Sequence, residues 1–227
     1  AKATDIFGSQ LEAEQWLEQF LENAYVPALH RSGIKQVGVF KPLDIDTADR
    51  KVYVLIPFNS LTQLANLDNT LFKDDNFGKS YADAAWNNPA FSRMETILLQ
   101  AFSGMPRMDV PQLQSPKQER VYELRSYESP SERYHINKVK MFNTGDEVGI
   151  FKRLGFNAVF YGSVLSGSRM PNLMYMTTFN NKADREAHWK SFTNDPQWKA
   201  LSAKEEYAHN VSKADIIFLQ PTNYSDI

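Results

Sequence analysis

The sequence predicts an α+β protein built from two tandem ferredoxin-like (βαββαβ) units that form a dimeric α/β-barrel-type pseudo-dimer. Three observations predict it. The first is the alternation of helix-period and strand-period segments. The second is that the segment Gly33-Ile34-Lys35-Gln36-Val37 returns as Gly155-Phe156-Asn157-Ala158-Val159. The third is that Asn87-Asn88-Pro89-Ala90-Phe91 returns as Asn194-Asp195-Pro196-Gln197-Trp198. A repeat that keeps its turn and cap chemistry as well as its hydrophobic pattern points to internal duplication.

Along the first half, Leu11, Trp16, Leu17, Phe20, Leu21, Ala24, Ala28 and Leu29 recur at helical spacing. They predict a helix over 11–31 that Pro27 kinks or restarts and Gly33 ends. Strand-like runs follow at Ile34–Phe40 and Lys51–Phe58, and a second helix starts near Ser60. Asn88 before Pro89 reads as a helix start. Glu95–Phe102 suits a strand or, in part, a helix. The first copy lacks a clear opening strand, because residues 1–7 match Val121–Tyr127 poorly.

Pro106, Pro111 and Pro116 stop both helix and ladder. The expected boundaries are therefore a first domain over 1–105, a linker over 106–118 and a second domain over 119–227. The second half opens with the strand Val121–Tyr127. Its first helix, capped by Ser131, is broken at Gly145 and Gly149. Strands Phe156–Leu165 and Leu173–Phe179 follow, then a helix over 182–193, another from Asp195-Pro196, and a last strand at Ala214–Gln220.

Composition excludes several functions. The 227 residues are 42% hydrophobic and 23% charged, with a formal net charge of −2 and no run of five or six like charges, so no nucleic-acid partner is predicted. No cysteine is present, which removes disulfides, thiolate zinc sites and thiol nucleophiles. No apolar run reaches membrane-spanning length. His30, His135, His188 and His209 show no i, i+4 pair, so no metal site is predicted. No cofactor is predicted either. Haem is the one alternative, because a single histidine suffices to ligate it.

Alternation in the strand Val121–Tyr127 puts Glu123, Arg125 and Tyr127 on one face and Tyr122, Leu124 and Ser126 on the other. With the second face against the helices, the first points into a space between two sheets. Arg125 is then either an anchor for an anionic or polar ligand, or part of a solvated face or a structural ion pair. Tyr127, Tyr161 and Tyr175 supply aromatic strand positions. Asn143 and Glu147 reach the mouth from the broken helix, and Arg169 from the Gly/Ser-rich turn. Asp146-Glu147 reads either as a base near a ligand or as first-turn carboxylates of a restarting helix. No catalytic constellation can be picked out. The expected partner is a small molecule, such as an organic acid or a quinone-like aromatic.

Tyr122-Glu123-Leu124-Arg125-Ser126-Tyr127 resembles the opening strand of the NIPSNAP family. Met141-Phe142-Asn143 with Gly145, Glu147 and Ile150-Phe151 is similar to a helix motif of its bacterial two-domain members. Met170-Pro171-Asn172-Leu173 is similar to the rest of the domain signature, as are Arg185, Trp189, Phe192, Asp195, Pro196 and Trp198. In the first half, Pro27-Ala28-Leu29 and Ala101-Phe102-Ser103-Gly104-Met105-Pro106 are similar too. The resemblance implies a dimeric α/β-barrel fold, compatible with a homo-oligomer, and no settled reaction. It leaves three readings: a ligand-binding barrel, a non-enzymatic protein-interaction module, and a cofactor-free monooxygenase or haem-handling enzyme by analogy of fold. Export to the periplasm after signal cleavage fits a chain starting at Ala1; the alternative is the cytoplasm.

Overall fold

The computed structural model describes residues 10–44, 50–82 and 91–227. They fall into two compact units that interleave along the chain: residues 1–39, 54–95 and 224–226, and residues 40–53, 96–223 and 227.

The first unit is mainly helical. α1 (Gln10–Phe20) passes through one π-helical turn, Leu21–Tyr25, into α2 (Val26–Arg31). The wide turn has a physical cause. Pro27 has no N–H, and its ring crowds the carbonyl four residues earlier, so the turn before it opens and Val26 N–H donates to Leu21 O. The predicted single helix is thus continuous but rewound. The strand expected at Ile34–Phe40 begins later, as β1 (Gly38–Pro42). Before it, the Asp226 carboxylate takes the Val37 N–H at 2.7 Å and the His30 ring at 2.8 Å, so a side chain satisfies this backbone instead of a ladder. α3 (Leu61–Ala65), α4 (Leu67–Leu71) and α5 (Asp75–Ala82) follow. Phe77 of α5 packs its ring on Phe20, Tyr25 and Phe72. Arg31 grips Asp74 with two bonds of 2.5 and 2.9 Å. The poor opening strand over 1–7 and the helix start at Asn88-Pro89 lie outside the described residues.

The second unit carries β3 (Leu98–Ala101), β4 (Val121–Glu128), β5 (Phe160–Ser166), β6 (Asn172–Phe179) and β7 (Lys213–Pro221), with residues 40–42 of β1 and Tyr53 of β2 (Tyr53–Leu55). The lateral order of the strands is β2-β1-β7-β4-β6-β5-β3. Every pairing with a resolved register is antiparallel. β4 lies at the centre, paired along its length with β6 and β7. The second half follows the predicted order, with each helix doubled. α6 (Glu132–Asn143) and α7 (Glu147–Arg153) lie between β4 and β5, and α8 (Lys182–Asn194) and α9 (Pro196–Ser202) between β6 and β7. The described strands of the first half extend this sheet on both sides and form no sheet of their own. Glu95–Phe102 resolves as strand β3.

Local chemistry explains the breaks. Asp195 caps α9 by accepting from Gln197 and Trp198 N–H at 3.0 and 3.1 Å, with Pro196 at the start. Ser131 precedes α6 but makes no capping bond with its side chain. Between α6 and α7 the chain turns through Asp146 at φ 66°. Two bare positions permit that turn. A Cβ on Gly145 would lie 2.5 Å from Met141 O, and one on Gly149 would lie 2.1 Å from an Asp146 carboxylate oxygen.

The core under these helices is aromatic. Phe151 stacks on Phe192 at 4.6 Å between ring centres, and Phe156 meets Phe151 at 4.7 Å and Trp189 at 4.9 Å. Phe156 is fully buried, so Phe156→Ala removes a ring from a filled space. The expected cost is about 3–5 kcal/mol in denaturant unfolding, with an unchanged slope against denaturant.

Candidate functional site

The register of the central strands gathers the site. Arg125 stands opposite Tyr175 on β6, and Tyr175 stands opposite Tyr161 on β5. The three therefore share one face of the sheet, as do Glu123 and Tyr127. That face lies under α6–α9, not in a space between two sheets, which corrects the sequence-based placement. The cause is visible in the contacts of Glu123. Its carboxylate is fully buried because α8 descends on it with matching donors. Arg185 Nε and Nη2 donate at 2.9 and 3.0 Å, and Trp189 Nε1 at 2.8 Å. From the strand itself, Arg125 Nε donates at 2.6 Å. Burial pushes this carboxyl up, but the Arg185 bonds, the Arg125 charge and the Trp189 bond outweigh it and hold it below the usual range.

Arg125 stays charged. Burial opposes its charge, but the neighbouring Tyr175, Tyr127 and Glu123 together push its pKa up. Its guanidinium stacks over the Trp189 ring at 3.7 Å, a cation–π contact. Its Nη1 donates to the Tyr127 hydroxyl at 2.7 Å, and the Tyr127 and Tyr175 hydroxyls meet at 2.9 Å.

A second buried pair faces the first. Lys138 on α6 bonds Glu147 on α7 at 2.9 Å, and both side chains are almost wholly enclosed. The Lys138 ammonium sits 4.7 Å from the Phe142 ring centre and 5.8 Å from that of Trp198. Burial raises the Glu147 carboxyl, and the Lys138 and Arg125 charges only partly offset this. Tyr161 and Tyr175 are also pushed up by burial, so both phenols stay protonated.

Most of these groups line one cavity of about 350 Å³, whose walls are Arg125, Tyr127, Lys138, Glu147, Phe151, Tyr175, Arg185, Trp189, Phe192, Thr193 and Trp198; Glu123 lies beneath Arg125 and is not part of the lining. Of the seven candidates from the sequence, Arg125, Tyr127, Glu147 and Tyr175 meet here. Tyr161 lies behind them, stacked on Tyr175 at 5.6 Å. Asn143 is engaged elsewhere: its Oδ1 accepts from Gly104 N–H at 2.8 Å and the Ser103 hydroxyl at 3.1 Å, pinning the turn after β3. Arg169 pairs with Asp215 and is not among the lining residues. Lys138, Arg185, Trp189, Phe192 and Trp198 were not foreseen as site residues. A signal existed for three of them. Arg185, Trp189 and Phe192 stand at i, i+4 and i+7, one stripe of α8. Lys138 and Trp198 carry no such mark.

Among the described residues no His/Asp/Glu cluster could hold a metal ion. No histidine lines the cavity, so it offers no imidazole to a haem iron. His188 packs instead on Phe156 and Phe179, with Nδ1 2.8 Å from Asp184 O. Among the described residues no helix is long and apolar enough to cross a membrane.

Residues 122–226 match the family model described as NIPSNAP. A solved structure of a NIPSNAP family protein from Agrobacterium tumefaciens is similar at 17% identity and a TM-score of 0.42, covering 52% of this chain and 98% of that one. A candidate monooxygenase from Lactobacillus acidophilus is similar at 11% identity and a TM-score of 0.58, covering 93% of this chain and 88% of that one. An anthrone oxidase-like protein is similar at 10% identity and a TM-score of 0.51, covering 92% and 86%. At such identities the last two show an α/β barrel-like fold alone. No curated protein matches the chain.

Glu123→Gln leaves two arginines facing a neutral amide. It should destabilise the protein by about 3–5 kcal/mol at neutral pH, the usual scale for breaking a buried pair. Because the folded carboxyl lies below its unfolded value, its contribution is full above the unfolded pKa and is lost as pH falls through the folded pKa. The gap between wild type and variant in denaturant titrations should therefore narrow on acidification.

Proposed function

We propose that the cavity under α6–α9, in the part of the chain that matches the NIPSNAP family model, binds a small aromatic ligand bearing an anionic group. One observation carries this reading. The charged lining of the cavity is Arg125, Lys138, Arg185 and Glu147. The other carboxylates of the cluster balance the count from outside that lining: Glu123 beneath Arg125 and Arg185, and the exposed Glu186, which pairs with Arg185 at 2.6 Å. The space walled by rings therefore presents mostly cationic donors, which suit a ligand bearing an anionic group. Arg125 is the natural contact, because it faces the cavity flat on Trp189 with the Tyr127–Tyr175 hydroxyl pair beside it. Phe151, Phe192 and Trp198 give the cavity an aromatic wall for an aromatic body.

Calorimetry with 4-hydroxybenzoate and neutral 4-hydroxybenzyl alcohol tests this reading. The acid should bind roughly tenfold or more tighter, the scale of one hydrogen bond to a charged group. Arg125→Gln should erase that preference. Equal binding of the two probes, or no binding, would sink the proposal and favour a protein-interaction module with no small-molecule ligand.

A second reading makes the ligand a substrate, oxidised by dioxygen without a cofactor. It draws on the aromatic-walled cavity and on the names of the similar structures, a candidate monooxygenase and an anthrone oxidase-like protein. Oxygen uptake with anthrone as probe should then exceed the spontaneous rate and fall in Trp189→Ala. An uptake equal to that of buffer removes this reading and leaves the first intact.

A further inference from the structure

Glu147, which lines the cavity, and Glu123, buried beneath Arg125, differ in one respect that decides what each can do. Glu123 is saturated, accepting four hydrogen bonds from Arg125, Arg185 and Trp189. Such a carboxylate has no reason to take a proton, because the proton would displace a charged donor. Glu147 has a single hydrogen-bond partner among the described residues, the Lys138 ammonium. Lys138 in turn is enclosed by rings and has Glu147 as its only carboxylate partner among the described residues. Both open onto the same cavity as Arg125.

We infer that the Lys138–Glu147 pair is a proton-accepting site, in which Glu147 takes the acidic hydrogen of a phenolic or enolic ligand and Lys138 holds the oxyanion that results. This rests on the aromatic-anion reading of the cavity and adds a second pole to it. The ligand's anionic group meets Arg125 and its hydroxyl meets Lys138 and Glu147. The step is a proton transfer alone. The ligand O–H bond breaks, its electron pair stays on the ligand oxygen, and a new O–H bond forms on a Glu147 oxygen. Net charge in the cavity does not change, since Lys138 exchanges one anionic partner for another. The surroundings favour this direction. Burial already raises the Glu147 carboxyl, and the groups acting on it are Lys138 of α6 and Arg125 of β4. The phenols of Tyr161 on β5 and Tyr175 on β6 stay protonated beside it and do not compete for the role.

The probe is 4-hydroxy-3-nitrobenzoate, which carries a carboxylate for Arg125 and a phenol whose ionised form is coloured. Absorbance gives the phenolate, infrared difference spectra give a protonated carboxyl, and calorimetry in two buffers gives protons released. In the wild-type protein below the solution pKa of the probe, phenolate colour should appear on binding, with a new protonated-carboxyl band and no proton released. Glu147→Gln should keep the colour, lose the band and release one proton per probe bound. Lys138→Met combined with Glu147→Met replaces the pair by apolar side chains, an exchange that buried ion pairs tolerate well. That variant should bind the probe in its colourless, protonated form. A colourless wild-type complex overturns the inference and leaves the Arg125 reading standing, as does colour with full proton release and no carboxyl band. Colour that survives in the double variant assigns the ionisation to Arg125 and also overturns it. Absence of binding to the wild-type protein overturns both.

Discussion

The Glu123 carboxylate is the interaction on which the rest of the second unit depends. It sits on the central strand β4 with no exposure to water, and such a group is tolerated only when its charge and lone pairs are matched. The match comes from two directions. Arg125 reaches it along the strand, and Arg185 with Trp189 reaches it from α8. Satisfying one carboxylate therefore fixes how α8 lies over the sheet, and it lays Trp189 flat beneath the Arg125 guanidinium. The hydrophobic core supplies most of the stability but could be packed in several ways. Four directional bonds to one group admit far fewer.

Much of the fold was legible because its signals are local. The Asp195-Pro196 helix start, the break at Gly145 and the strands β4, β6 and β7 each follow from residues within a few positions of one another. The order β4, helix, β5, β6, helix, β7 follows from them. What was not legible depends on distant partners. Val37 has the pattern of a strand residue, but its N–H is taken by Asp226, 189 positions away. Alternation sorted β4 into its two faces but could not say which one the helices cover. The usual expectation, charged residues away from the packed layer, chose the wrong one. It failed because α8 carries the donors that make a buried carboxylate acceptable.

The site shows the same division. Arg125, Tyr127 and Tyr175 share a face by strand register, and Glu147 was marked by its place at a helix restart. Asn143 and Arg169 looked available because a sequence shows donors and acceptors without their partners. In the fold both are engaged, one with the Ser103–Gly104 turn and the other with Asp215. Lys138 was hidden for the opposite reason. A lysine on a helix normally faces water, and nothing near it in the sequence announces Glu147, nine residues on and across a break.

One bare position in that break has a consequence for how the site can vary. Lys138 and Glu147 meet because the chain doubles back between α6 and α7, and it does so where Gly145 leaves no room for a Cβ beside the Met141 carbonyl. The aromatic walls can trade one ring for another and so retune what the cavity accepts. The backbone at 145 has no such latitude, because any side chain there strikes that carbonyl; at Gly149 the obstacle is only the exposed Asp146 carboxylate, which can swing aside. The cavity is thus evolvable in its lining and rigid in its hinge: new ligand preferences are open to single substitutions, whereas the meeting of ammonium and carboxylate depends on a residue that touches no ligand.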